Sequence, residues 1–241
     1  MRALPEAFHR AFAHRGLFGA GVPENSLPAF RLAAEQGYGI ELDVQRTADG
    51  ALVVFHDATA ERMCGVKRRI SGMTLAEVRS LRLDGTGEGV PTLTEVLDAV
   101  DGRVPLIVEL KQTPYRRAMV SETLALLREK GCVFLAESFD PRLLVHCRRM
   151  APEVPRGQLG FGLRYAEKAS VPARLLMASR LSCLLSRPDV LVWDLHTCGT
   201  PWFRLLQCLH RYPLLLWTVR TDAEQAEAER LGIGWIGEFA K

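Results

Sequence analysis

Short apolar runs alternate with amphipathic stretches along nearly the whole of this chain, and that rhythm restricts the folds open to it. Eight runs read as strands: Ala11–Arg15, Gly39–Val44, Pro105–Leu110, Cys132–Glu137, Arg156–Phe161, Val190–Leu195, Leu214–Val219 and Ile233–Ile236. Helix start signals fall between them. Thr92 to Glu95 and Thr221 to Glu224 have capping-box spacing, and Thr200-Pro201 places a cap residue before a helix-compatible proline. After Ser26, the residues Leu27, Phe30, Ala33 and Ala34 recur on one helical face. Alternation of this kind predicts an α/β fold with a parallel sheet. Eight strands are the number that closes a (β/α)8 barrel, and 241 residues suit the roughly 250 of that architecture. An open doubly wound sheet competes, but no Gly-rich phosphate loop follows an early strand.

One run breaks the rhythm. Ala51–Phe55 follows the second strand after only Arg46–Gly50, too short for a parallel crossover of a dozen or more residues. It must double back as a hairpin with Asp49-Gly50 as its turn. A tight turn pairs residues whose numbers sum to about 99, which sets His56 opposite Asp43. A slip of one residue would turn His56 to the other face. The polar stretch from Asp57 to Pro91, with a further capping box from Thr74 to Glu77, reads as a small excursion beside the barrel mouth. No linker or repeat divides the chain, so a single domain over residues 1–241 is expected, with an insertion at about 58–90.

Charge bears on partners. The 31 basic and 28 acidic residues are dispersed and leave a net +3, which argues against a nucleic-acid binder with its concentrated basic stripe. The densest cluster, Lys67-Arg68-Arg69, reads as a solvated loop face. Six cysteines without CxxC spacing read as reduced, mostly buried thiols of a reducing compartment. The first residues lack an apolar signal-peptide core, and no stretch approaches the roughly 18 apolar residues of a membrane span. These features point to the cytoplasm. Nothing in the sequence sets an oligomeric state.

The chemistry concentrates at strand ends. Glu41 and Asp43 are two apart in one strand, so both side chains leave the same face. Glu109 and Lys111 repeat that spacing on the next barrel strand. Polar groups at C-terminal strand ends of a barrel face its mouth. Three carboxylates converging there repel one another unless a cation holds them, and all-oxygen ligation favours Mg²⁺ or Ca²⁺. His14 ends the first strand and His56 ends the hairpin, so two imidazoles able to exchange protons near neutral pH flank the acids. Arg15 has the fork geometry for phosphate oxygens, and Lys111 adds a point charge. His9, His146 and His210 read as structural. His196 lies near the mouth and is assigned no role.

These residues, taken in order, resemble the glycerophosphodiester phosphodiesterases. The resemblance runs through His14-Arg15-Gly16, Pro23-Glu24-Asn25-Ser26, Ala29-Phe30, Glu41-Leu42-Asp43-Val44, Thr47-Ala48-Asp49-Gly50 and Val53-Val54-Phe55-His56-Asp57. It continues through Pro91-Thr92-Leu93, Glu109-Leu110-Lys111, Ser138-Phe139 and Trp217-Thr218-Val219. It implies one divalent cation on Glu41, Asp43 and Glu109, His14 and His56 as the acid–base pair, and Arg15 and Lys111 on the substrate phosphate. Glu24 is then expected near the metal or Arg15, and Asn25 near the following helix start. The implied reaction is hydrolysis of a small-molecule glycerophosphodiester to sn-glycerol 3-phosphate and an alcohol. Which histidine is acid and which base stays open, as does the nucleophile, either water or the neighbouring glycerol hydroxyl. The run Gly232-Ile233-Gly234-Trp235-Ile236-Gly237-Glu238-Phe239 departs from the family's usual last strand, which bears on substrate preference and barrel closure. Two other readings compete: a phosphodiesterase for lysophospholipids or another phosphodiester, with Leu17, Phe18 and Trp202 as an apolar rim, and a barrel that binds without catalysis.

Overall fold

The computed structural model describes residues 4–162 and 171–239. Its strands are β1 (Ala11–His14), β2 (Gly39–Arg46), β3 (Leu52–Val54), β4 (Leu106–Leu110), β5 (Phe134–Ser138), β6 (Arg156–Gly160), β7 (Val190–Asp194), β8 (Leu214–Val219) and β9 (Gly234–Gly237). All but β3 run parallel, and pairing of β1 with both β2 and β9 closes the ring. The (β/α)8 barrel expected from the alternation is therefore present, and the altered last strand closes it.

Helices between successive strands cover the outside, started by the expected caps. Ser26 and Thr200 accept hydrogen bonds from backbone N–H groups three residues on. Thr74, Thr92 and Thr221 form reciprocal capping boxes with Glu77, Glu95 and Glu224.

Two-residue periodicity divides each barrel strand between layers. On β2 and β4, Leu42, Val44, Val108 and Leu110 point outward and pack with Phe30, Val96 and Leu124 of the covering helices. A second cluster, including Phe12, Ile107, Leu135, Leu159, Leu215 and Ile236, fills the interior. Two residues beyond four of these interior positions the chain places His14, Glu109, Glu137 and Glu238. The same face that fills the barrel below thus supplies titratable groups above.

The hairpin forms, with one correction. Pairs are Val44 with Val54, Gln45 with Val53 and Arg46 with Leu52, so their numbers sum to 98 rather than 99. The cause is a loop of three residues, Ala48–Gly50, closed by the Thr47 N–H on the Ala51 carbonyl (2.9 Å), with Gly50 at φ +99°. Phe55, not His56, lies opposite Asp43 and donates its N–H to the Asp43 carbonyl at 2.9 Å. His56 still reaches the mouth because β3 ends at Val54 and strict alternation ends with it. Gln45 holds that departure, donating to the carbonyl oxygens of Phe55 and Asp57 at 2.7 Å each.

The excursion after Asp57 has its own small core of Ala60, Met63, Ile70, Met73, Val78, Leu81, Leu83 and Val90 around Val53 and Phe55. Lys67, Arg68 and Arg69 are exposed, as a solvated loop face should be, and Arg68 pairs with Glu77 at 2.8 Å. All six cysteines are free, but only Cys147 and Cys183 are buried, fewer than expected.

Candidate functional site

Strand register builds the site. Asp43 on β2 aligns with Glu109 on β4, which aligns with Glu137 on β5. Glu41 enters one pleat below Asp43. Glu41, Asp43 and Glu109 are buried, and each offers an oxygen within 4.8 Å of the others. The three expected ligands are therefore brought together, as the paired spacing implies. Sequence reasoning misses Glu137, which is 1% exposed and whose Oε2 has no hydrogen-bond partner. A signal for it exists, since Glu137 nears the end of a strand in the register of Glu109, but a lone acid gives no spacing to notice.

Arg15 follows β1 with φ at +58°, a left-handed conformation that costs a non-glycine residue about 1 kcal/mol or more. That turn aims its N–H at Glu41 Oε2 (3.0 Å) and brings its guanidinium to Glu24 (2.8 Å) and Asp43 (3.6 Å). Glu24 thus meets Arg15, one of its two expected neighbours. Asn25 does precede the helix cap Ser26, but its side chain turns to the acids, where Nδ2 donates to Asp43 Oδ2 at 2.8 Å. Lys111 Nζ lies between Asp43 (3.1 Å) and Glu109 (2.9 Å).

Both histidines are oriented by carboxylates. His14 Nδ1 is 3.1 Å from Glu238 Oε1, and His56 Nδ1 is 2.8 Å from Asp57 Oδ1. An ionised carboxylate only accepts, so each Nδ1 carries a proton and each Nε2 is left to face the site, that of His14 4.0 Å from Glu41 Oε2. Each carboxylate is held in turn by an arginine: Glu238 by Arg220 at 3.0 Å, and Asp57 by Arg62 at 2.5 Å. Arg62 continues to Glu24 at 2.6 Å, which joins the His56 side to Arg15. His14, Arg15, Glu41, His56, Glu109 and Glu137 line a common cavity of about 280 Å³, together with Phe139, Trp217 and Arg220. His196 lies outside it, exposed and 3.5 Å from Glu224.

The glycerophosphoryl diester phosphodiesterase family matches residues 14–237, from His14 to the end of the last strand. This chain belongs to that family. Among curated glycerophosphodiester phosphodiesterases, the one from Caldanaerobacter subterraneus is 35% identical over 160 residues, covering 61% of this chain and 65% of its own. The match thus spans just under two thirds of that relative's length. An Oleispira antarctica phosphodiesterase, solved with sn-glycerol-3-phosphate, shares the fold at a TM-score of 0.78 and 24% identity, over 95% of this chain and 92% of its own. The Thermotoga maritima glycerophosphodiester phosphodiesterase superposes at 0.70 with 25% identity, over 95% and 93% of the two chains.

The electrostatics of this glycerophosphoryl diester phosphodiesterase family site are those of crowded like charges. Burial first, then Asp43 and Glu109, push the Glu41 carboxyl well above the usual range. Burial and the neighbouring Glu41, Glu109 and Asp43 do the same to Glu137. Burial and Asp43 raise Glu109 to about 7 against the pull of Lys111. Burial opposes ionisation of Asp43 as well, but Lys111, His56, Arg15 and Asn25 overcome it and hold that carboxyl far below the ordinary range. Four carboxylates meet two permanent cations, Arg15 and Lys111. The crowding that opposes ionisation of Glu41, Glu109 and Glu137, the orphaned Glu137 oxygen and the all-oxygen donor set suit a hard divalent ion, whose charge would let them stand together as anions. Burial lowers both histidines below the ordinary imidazole value, against the pull of Glu238 on His14 and of Asp43 and Asp57 on His56.

Proposed function

We propose that this chain hydrolyses glycerophosphodiesters to sn-glycerol 3-phosphate and an alcohol, using residues 1–241 as one unit. The observation that carries this reading is the pair of carboxylate-oriented histidines sharing one cavity with a buried acidic cluster. Glu41, Asp43 and Glu109 would hold one divalent cation, Mg²⁺ or Ca²⁺. When bound, such an ion neutralises phosphate charge and polarises phosphorus. Arg15 and Lys111 bind the remaining phosphate oxygens, Arg15 through its fork and Lys111 as a point charge. One imidazole Nε2 takes the proton of the attacking hydroxyl, and the other, starting as the imidazolium, gives its Nε2 proton to the leaving alkoxide. Glu238 and Asp57 keep the tautomers right for these transfers and stabilise each imidazolium as it forms.

Glycerol 3-phosphate release from glycerophosphocholine and glycerophosphoethanolamine tests the reading. EDTA should abolish release, and Mg²⁺ or Ca²⁺ should restore it. Release from neither substrate with either ion would refute the proposal. A second reading has a specific observation behind it. Leu17, Phe18, Leu32, Tyr38 and Phe239 line a cavity of about 430 Å³ that shares Arg220 with the cavity of the site and takes in Glu238. An apolar tail fits such a cavity, so lysophosphatidylcholine is the comparison substrate. Faster turnover of it than of glycerophosphocholine would favour the lipid substrate.

Glu238 gives a separate prediction. Its carboxyl is held down to about 2, mainly by the His14 hydrogen bond, so it is an anion throughout the working range. That anion favours the imidazolium, and without it burial lowers His14 further. Glu238→Gln should therefore cut kcat by roughly 10–100-fold, as loss of a partner that orients an imidazole commonly does. It should also move to lower pH the limb of the rate profile that His14 sets, the acidic limb if His14 is the base and the alkaline limb if it is the acid. An unchanged kcat and an unmoved limb would deny Glu238 this role.

A further inference from the structure

The outer helices of the barrel are not alike. Helix Asp222–Leu231 carries four acids, and Leu231 is its one exposed large apolar residue. The helices Val171–Ala178, Leu181–Ser186 and Pro201–His210 present the opposite surface. Leu175, Leu181, Leu184, Trp202, Leu205 and Leu209 on them are each more than half exposed, with Leu184 and Leu209 at 68%. Single exposed leucines are ordinary; six large apolar side chains on adjoining helices form a patch that calls for an occupant.

The helices are fastened into one face. Trp202 Nε1 donates to the Ala178 carbonyl at 3.1 Å, and Arg180 donates to Gln207 at 3.0 Å across the same seam. Arg180 also stacks over Phe203, 4.3 Å from the ring centre. The patch is therefore built into the packing of the helices.

Charge selects the occupant. Residues 171–188 and 200–213 contain five arginines and no Asp or Glu. Arg187, Arg204 and Arg211 are exposed beside the leucines. A second copy seated isologously on this face would set arginines against arginines with no acid of the face to meet them. An anionic lipid surface meets both features, since leucine and tryptophan enter the interfacial layer while arginine binds head-group phosphate.

We propose that this face docks the protein on an anionic phospholipid bilayer, through Trp202, the exposed leucines and Arg187, Arg204 and Arg211. Docking there has a consequence for access. Leu185, at the edge of the face, lines a cavity of about 620 Å³ that also reaches Glu109 and Lys111. The bilayer is thus held beside an opening to the acidic cluster.

Co-sedimentation with vesicles tests this directly and needs no turnover. The chain should pellet with equimolar phosphatidylglycerol and phosphatidylcholine, pellet weakly with phosphatidylcholine alone, and release as salt is raised. Leu205→Glu with Leu209→Glu should abolish pelleting while the circular dichroism spectrum and Tm stay unchanged. Arg187→Gln, Arg204→Gln and Arg211→Gln should each weaken partition roughly fivefold. No pelleting on the mixed vesicles, equal pelleting on both vesicle types, or full pelleting of the double glutamate variant would overturn the proposal. So would a dimer in light scattering that the double variant dissociates while wild type ignores vesicles, because the occupant would then be a second copy.

Discussion

His14→Ala and His56→Ala should each slow release of glycerol 3-phosphate by a factor on the order of 10²–10⁴, the usual worth of a positioned acid or base. The two imidazoles line one cavity with Glu41, Glu109 and Glu137, His14 at the end of β1 and His56 after the hairpin. Each has its own Nδ1 anchor, Glu238 or Asp57. Neither can replace the other, because each is turned toward the cavity by a separate arginine–carboxylate pair. Loss of one should therefore remove one proton transfer and leave cation binding nearly intact. Steady-state kinetics alongside calorimetric titration with Mg²⁺ or Ca²⁺ would show this split. If both variants turned over at wild-type rate with metal present, the two-histidine mechanism would be wrong.

Asp43→Asn should have the largest effect on the cation. Asp43 touches Asn25, Lys111 and Arg15, so its carboxylate joins one proposed metal ligand to both proposed phosphate-binding cations. Replacing it with an amide removes a charged ligand and leaves Arg15 and Lys111 short of a counter-charge. Cation affinity should fall by more than the roughly 10–100-fold typical of losing an outer partner, and turnover should fall with it. Glu109→Gln serves as the companion variant, since Glu109 pairs with Lys111. Calorimetry and far-UV circular dichroism on both variants separate lost ligation from lost fold. Wild-type affinity in both would dismiss the carboxylates as a cation site.

Much of this site is legible along the chain because its spacings are local. Glu41 and Asp43 share a strand face by pleating alone, and so do Glu109 and the run that leads to Lys111. The resemblance draws on the same short motifs. The supporting layer is harder to see. Glu238 is 224 residues from His14, and in the sequence it stands out only as part of an unusual last strand. Arg62 lies in the excursion, where nothing in its spacing marks it as a clamp on Asp57 and Glu24. Arg220 follows β8 and meets Glu238 only because β8 and β9 are neighbours in the ring.

The hairpin shows where local reading stops. Its existence follows from a connection too short to cross over, and its turn does fall at Asp49-Gly50. Its register differs by one from the tight-turn expectation because loop length depends on a single backbone conformation, that of Gly50 at φ +99°. His56 reaches the mouth all the same, since Gln45 captures the two carbonyls that flank it once the strand has ended.

The strand–helix alternation, the caps, the parallel barrel and the inward face of each acidic strand are written in the order of the residues. All of these arise from periodicity and short-range hydrogen bonding. Packing of the ring and its excursion decides which distant groups meet: Glu137 beside Glu109, Glu238 on His14, Arg62 on Glu24, and the arginine-flanked leucines of the outer helices on one surface. Contacts between elements far apart in the chain leave no period in the sequence, because they are created by packing.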